Sequence, residues 1–145
     1  MTWWSVVRFL HVLSAALWVG GQLAVSLVVL PAARRLLDGE RRAAVLSAVG
    51  RRFGLVTAAA FLPVQLATGV ALAARKGVTW QSLAEPGYGR ILAAKLGLFA
   101  AVMLAAGLHG WASGAGRARL ARALAIASLV GSLGVVLLAT ALPAT

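Results

Sequence analysis

Four long apolar stretches constrain the fold of this chain more than any other feature. They cover about residues 3–33, 53–74, 89–112 and 120–142, and clusters of basic residues separate them. A helix needs about 20 apolar residues to cross the hydrocarbon core of a bilayer, and each stretch is long enough. Apolar residues make up 61% of the chain, which soluble domains rarely reach. The pattern predicts an all-α integral membrane protein, with a four-helix bundle forming one transmembrane domain over 1–145.

Basic residues are unevenly distributed between the two ends of the predicted spans. Nine arginines lie in the connections after the first and third spans, and four basic residues lie at the other ends. Since basic loops stay in the cytoplasm, we predict up-down-up-down topology with both termini outside, on the periplasmic side of a bacterial-type inner membrane. The nine are Arg34, Arg35, Arg41, Arg42, Arg51, Arg52, Arg117, Arg119 and Arg122.

Two further local features lie before and inside the second span. The segment 36–49 has helical periodicity, which predicts a short amphipathic helix at the inner membrane surface. Pro63 lies inside the span, where neighbouring helices tolerate a kink.

The net charge of +11 raises the question of nucleic-acid binding. The basic residues form short clusters and not one continuous surface, so we expect no nucleic-acid partner. The lipid bilayer is the expected partner instead. The absence of cysteine excludes disulfides and thiolate metal sites. Four short spans bury little surface, which is compatible with a homodimer.

Polar residues inside the apolar spans define the candidate site, because ionisable groups in a bilayer need a partner or a role. At a rise of 1.5 Å per residue, His11 lies about 12 Å and Lys95 about 9 Å from the outer ends of two parallel spans. Thr68, with Gln65 one turn deeper, reaches that level from the second span. Arg8 shares the helical face of His11. The sequence therefore predicts one polar layer built by three helices.

The two histidines and Lys95 can each be interpreted in two ways. His11 is either a packing, hydrogen-bonding histidine or a ligand of a cofactor or metal ion. Lys95 at this depth can also extend its ammonium group to the outer interface. His109 lies about 21 Å deeper than Lys95, so His11 and His109 are roughly 15–20 Å apart along the membrane normal and cannot share one metal ion. His109 is interpreted as a packing residue, with a separate metal-ligand role as the alternative.

Strings in three spans resemble the copper-resistance protein D (CopD) family. In that family a first-helix histidine precedes a tryptophan and a glycine pair, and a proline follows before basic residues. The resemblance implies a copper transport or resistance component that works with a periplasmic copper-binding protein. The matching residues here are His11, Trp18, Gly20, Gly21 and Pro31, then Arg51, Arg52, Phe53, Thr68 and Gly69, then Tyr88, Gly89, Arg90 and Lys95.

The layout is also similar to that of the HemJ-type protoporphyrinogen oxidases. These four-helix membrane proteins carry a first-helix histidine and a third-helix lysine that are tied to haem b, and His11 and Lys95 match those positions. They also have an aromatic-Pro-Arg string soon after the tryptophan, where this chain has Gly20, Gly21 and Gln22. The resemblance implies a haem b, or a related porphyrin, in the outer half of the bundle with His11 as axial ligand.

The two resemblances place different demands on the residues. A b-type haem needs an axial imidazole, an apolar slot and a cation near its propionates. His11 would supply the imidazole, and Lys95, Arg8 or Arg90 the cation or a second ligand. A Cu(I) path favours methionine, cysteine or histidine ladders, and the chain has two methionines and no cysteine.

Three functions therefore stand. The leading expectation is a haem protein for electron transfer or porphyrin oxidation, with a redox partner. If it is an enzyme, it is a haem-dependent oxidoreductase of the protoporphyrinogen oxidase type. The alternatives are a copper-handling membrane component and a structural subunit without a cofactor.

Overall fold

Four long helices dominate the fold. The computed structural model describes residues 2–142, which contain no strand. The helices are α1 (Trp3–Leu36), α2 (Gly39–Arg75), α3 (Tyr88–Gly114) and α4 (Ala118–Thr140). Each has an 18-residue window with a mean hydropathy between 1.8 and 2.2. Within the described range, this confirms an all-helical chain with four helices long and apolar enough to cross a membrane.

The helix α2 extends beyond the apolar stretch predicted for the second span. The helix begins at Gly39, well before the predicted start of the second span at 53, and continues without interruption to Arg75. The Asp38 side chain caps it by accepting the Arg41 backbone N–H at 2.9 Å. The segment 36–49 is therefore not a separate surface helix. Because no proline lies between Gly39 and Pro63, its helical part forms the first turns of α2.

Two π-helical segments accompany the two prolines inside these helices. They cover Val25–Val29 in α1 and Thr57–Phe61 in α2, and each ends two residues before a proline, at Pro31 and Pro63. Proline has no N–H, and its ring clashes with the carbonyl four residues earlier. A wider turn ahead of the ring relieves that clash while the helix continues.

The chain packs as two compact units, the first ending at Lys76 and the second starting at Gly77. In the first unit α1 and α2 are antiparallel. Four pairs of side chains contact each other between these helices, and in each pair the two residue numbers add up to 79. A constant sum is expected for antiparallel helices in one register. These pairs are Trp4 with Arg75, His11 with Thr68, Ser14 with Gln65, and Trp18 with Phe61.

In the second unit α3 and α4 are antiparallel and joined by the short turn 115–117, where Gly116 has φ +70°. Gly131 and Gly134 of α4 lie directly against side chains of α3. A Cβ at Gly131 would overlap the Val102 side chain, and one at Gly134 would lie 3.0 Å from Leu98. Small residues thus allow the close packing that is typical of membrane helices.

Large apolar side chains on both units point outward. Leu27 and Val70 in the first unit are 69% and 68% exposed, and Leu104 and Leu137 in the second are 67% and 70% exposed. Such contiguous apolar surface is stable in lipid and not in water. The chain is a multi-pass membrane protein whose helices contact the bilayer.

Candidate histidine site between the first two helices

His11 lies at the contact of α1 and α2 and forms hydrogen bonds to both polar residues predicted to share its level. Its Nδ1 is 2.8 Å from Thr68 Oγ1, and its Nε2 is 3.2 Å from the Gln65 side-chain nitrogen. Thr68 is only 8% exposed, and His11 is half-buried. The antiparallel register explains why Gln65 and Thr68 both reach His11, because a step of one turn forward along α1 lies opposite a step of one turn back along α2.

The Thr68 hydroxyl sets the direction of the first hydrogen bond. It donates its proton to the Val64 carbonyl at 2.6 Å, one turn earlier on the same helix. With its proton used there, the hydroxyl oxygen offers lone pairs to His11. The His11 Nδ1–H therefore donates to Thr68.

The Gln65 amide sets the direction at the other ring nitrogen. Ser14 Oγ donates to Gln65 Oε1 at 2.6 Å, which leaves the amide NH₂ facing His11 Nε2. An NH₂ group only donates, so Nε2 must carry a lone pair. A proton on Nε2 would put two donors against each other. With the Gln65 amide in this orientation, the contacts favour the neutral tautomer with its proton on Nδ1.

A glycine makes room for the imidazole. A Cβ at Gly69 would lie 3.3 Å from His11 Cε1, tighter than most contacts of that kind. About 10 Å further along α1, the indole of Trp18 stacks on the Phe61 ring, with centroids 4.9 Å apart. Both aromatic residues are buried. The histidine is therefore held between a fixed polar network and an apolar aromatic contact.

Arg8 lies one turn from His11, but it lines a separate feature. Together with Trp4 and Arg75 it borders an open groove at the end of the unit. The Arg75 guanidinium carbon is 4.7 Å from the Trp4 ring centroid, a cation–π contact.

The remaining predicted residues belong to the second unit. Lys95 is half-buried on α3, and Arg90 is exposed and donates from Nε to the Ala84 carbonyl at 3.3 Å. His109 donates its Nδ1–H to the Ala121 carbonyl of α4 at 2.8 Å. That bond joins two helices, as the packing interpretation of His109 expects. The shared level of His11 and Lys95 stays a prediction.

Two residues of this region were not singled out from the sequence: Ser14 and Arg75. A signal for Ser14 existed, because positions 11 and 14 repeat the three-residue step of positions 65 and 68. Arg75 was read as a boundary charge, and nothing local pairs it with Trp4.

No group of three or more histidine, cysteine, aspartate or glutamate residues comes together within residues 2–142. No protein-family model matches the chain, and neither a curated protein nor a solved structure matches it.

Proposed function

We propose that this chain is a haem b-binding membrane protein in which His11 Nε2 is the axial ligand of the iron. One observation supports the proposal: His11 Nδ1 lies 2.8 Å from the Thr68 hydroxyl, which donates its own proton to Val64, and His11 Nε2 lies 3.2 Å from the Gln65 amide nitrogen. A proton on Nδ1 and a lone pair on Nε2 fit these contacts. In metal-ligating histidines the other ring N–H usually donates to a fixed acceptor, which orients the ring and raises its basicity. The Thr68 hydroxyl is such an acceptor.

The residues around His11 have distinct roles in this proposal. Thr68 orients the ring, and Gly69 leaves room at its edge. Gln65 lies against Nε2 and would have to turn away for iron to be held there. Haem supplies one-electron chemistry through its Fe(III)/Fe(II) couple. The protein would serve electron transfer or porphyrin oxidation with a redox partner in or at the membrane.

The resemblance to CopD and HemJ-type proteins extends the proposal to the whole chain. We infer a four-helix bundle with up-down-up-down topology in a bacterial-type inner membrane and both termini on the periplasmic side. The excess of arginine on one side supports the orientation.

The orientation can be tested by labelling, because the chain has no cysteine. We would introduce Ala43→Cys beside the arginine-rich connection and Gln81→Cys in the loop after α2, both exposed positions. A membrane-impermeant thiol reagent added to intact cells should label the cysteine at 81 and not the one at 43. Labelling only at 43 would reverse the topology.

Haem binding is tested by reconstitution of the purified full-length protein with haemin. The wild type should give a Soret band, and His11→Ala should lose it. His109→Ala is the matched control, since it removes the other histidine of the chain and should keep the band. Adding imidazole to His11→Gly should restore the band if the ring acts as a ligand.

Two results would contradict the haem proposal. The first is a Soret band of equal intensity in wild type and His11→Ala. The second is the absence of any band in a folded wild type; copper retained after dialysis and lost in His11→Ala would then support the copper function instead.

A further inference from the structure

An open groove of about 560 Å³ lies at one end of the first unit, where α1 begins and α2 ends. Two guanidinium groups, Arg8 and Arg75, line it together with the hydroxyl-bearing residues Thr2 and Ser5. Trp3 and Arg75 are terminal residues of two candidate spans, so the groove lies at the ends of both helices, where a spanning helix meets the membrane surface. We call it the Arg8/Arg75 groove.

No acidic side chain in the described part of the first unit lies near the two guanidinium groups of the groove. The acidic residues there are Asp38 and Glu40, at the opposite ends of both helices. The ion pair found within residues 2–142 joins Arg41 to Asp38, at that far end. Arg8 and Arg75 thus lack a carboxylate partner in the described structure. Two such cations at a membrane surface attract an anion.

The groove also has groups arranged to bind that anion. Arg75 lies over the Trp4 ring, which restricts its side chain while the planar guanidinium keeps its N–H edges for other partners. Guanidinium groups bind phosphate oxygens through paired N–H donors. The hydroxyls of Thr2 and Ser5 share one hydrogen bond at 3.2 Å, so the pair adds one further donor.

The rest of the groove is apolar, and it lies deeper along α1. Phe9 and Val12 form this part, and each is 59% exposed. The groove is therefore polar at the membrane surface and apolar towards the interior. A phospholipid has the same order, with its headgroup outside and its acyl chains inside. A free phosphate ion would leave the apolar part unused.

We propose that the Arg8/Arg75 groove is a binding site for an anionic phospholipid. The lipid phosphate contacts the two guanidinium groups, and the upper part of an acyl chain lies against Phe9 and Val12. This inference is independent of haem binding. It assigns Arg8 to lipid and not to haem propionates.

The experiment compares lipid retention by the delipidated full-length protein. The protein is incubated with equal amounts of phosphatidylglycerol and phosphatidylcholine in mixed micelles, and bound lipids are counted by native mass spectrometry. The wild type should prefer phosphatidylglycerol, and Arg8→Gln/Arg75→Gln should lower that preference about tenfold or more. Arg34→Gln/Arg35→Gln is the control, because it removes the same charge near the other end of α1.

A second variant covers the case in which the double variant does not fold. Arg75→Lys keeps the charge and removes the planar group over Trp4, so helicity by circular dichroism should stay at the wild-type level. Its preference for phosphatidylglycerol should still fall several-fold, because lysine does not bind phosphate through paired donors.

Three outcomes would overturn the lipid assignment. One is an unchanged preference in the folded double variant or in Arg75→Lys. Another is an equal loss in the Arg34/Arg35 control, which would mean that only total charge matters. The third is displacement of the bound lipid by inorganic phosphate alone, which would make the groove a site for free anions.

Discussion

The Thr68 hydroxyl offers the sharpest test of the histidine network. Thr68→Val keeps the shape of the side chain and removes the acceptor of the His11 Nδ1–H. A buried donor without a partner costs about 1–3 kcal/mol, while hydrogen bonds between membrane helices average about 0.6 and reach about 1.7 kcal/mol. We therefore expect Thr68→Val to lower the free energy of unfolding by about 1–2 kcal/mol.

A double-mutant cycle isolates this one hydrogen bond. Unfolding in mixed micelles is followed by circular dichroism for wild type, Thr68→Val, His11→Leu and the double variant. A coupling of about 1 kcal/mol between the two changes is expected, because contacting residues are rarely additive. Thr57→Val is the control, since its hydroxyl accepts from the Trp18 indole at 3.2 Å and not from His11.

The same variants test the ligand role. Loss of a group that orients a metal-binding histidine typically weakens metal affinity by about 10–100-fold. Thr68→Val should weaken haem binding by that factor, whereas Thr57→Val should leave it unchanged. Additive changes in the cycle, together with unaltered haem affinity in Thr68→Val, would refute the proposed network.

The remaining predictions concern packing and access to Nε2. Gly131→Ala should destabilise the second unit by about 1–3 kcal/mol in thermal unfolding, because its Cβ meets Val102. Gly107→Ala, with open space at its Cβ, should be neutral or stabilising by up to about 1 kcal/mol, and equal effects of the two changes would contradict the packing. Gln65→Leu removes the amide that covers His11 Nε2, so haem should bind several-fold faster in stopped-flow mixing, and an unchanged rate would argue against Gln65 as a cover.

Much of the fold follows from local features of the sequence. Apolar length alone locates four membrane-spanning helices, because a bilayer demands about 20 such residues. Polar residues lie three positions apart on both helices, at 11 and 14 on α1 and at 65 and 68 on α2. Antiparallel helices can bring two such pairs into contact. Counting depth along the helices therefore predicts that His11, Gln65 and Thr68 lie near one level, while their contact also requires the register of α1 against α2.

Other features depend on information that no local pattern carries. A proline shows that one backbone hydrogen bond is lost, but not that π turns form at Val25–Val29 and Thr57–Phe61. The pairing of Trp4 with Arg75 requires knowing which helices are neighbours and in what register. The start of α2 at Gly39 also lies outside the apolar pattern, because apolar length locates a membrane span and not the polar turns that extend its helix back to the Asp38 cap.

The protonated nitrogen of His11 decides whether Nε2 can bind iron, and nitrogen-15 NMR identifies it directly. The chain has two histidines, so labelled His109→Ala protein leaves His11 as the single imidazole. In haem-free protein the proton should be on Nδ1 and the lone pair on Nε2. A proton on Nε2 would contradict both the hydrogen-bond network and the ligand role assigned to this residue.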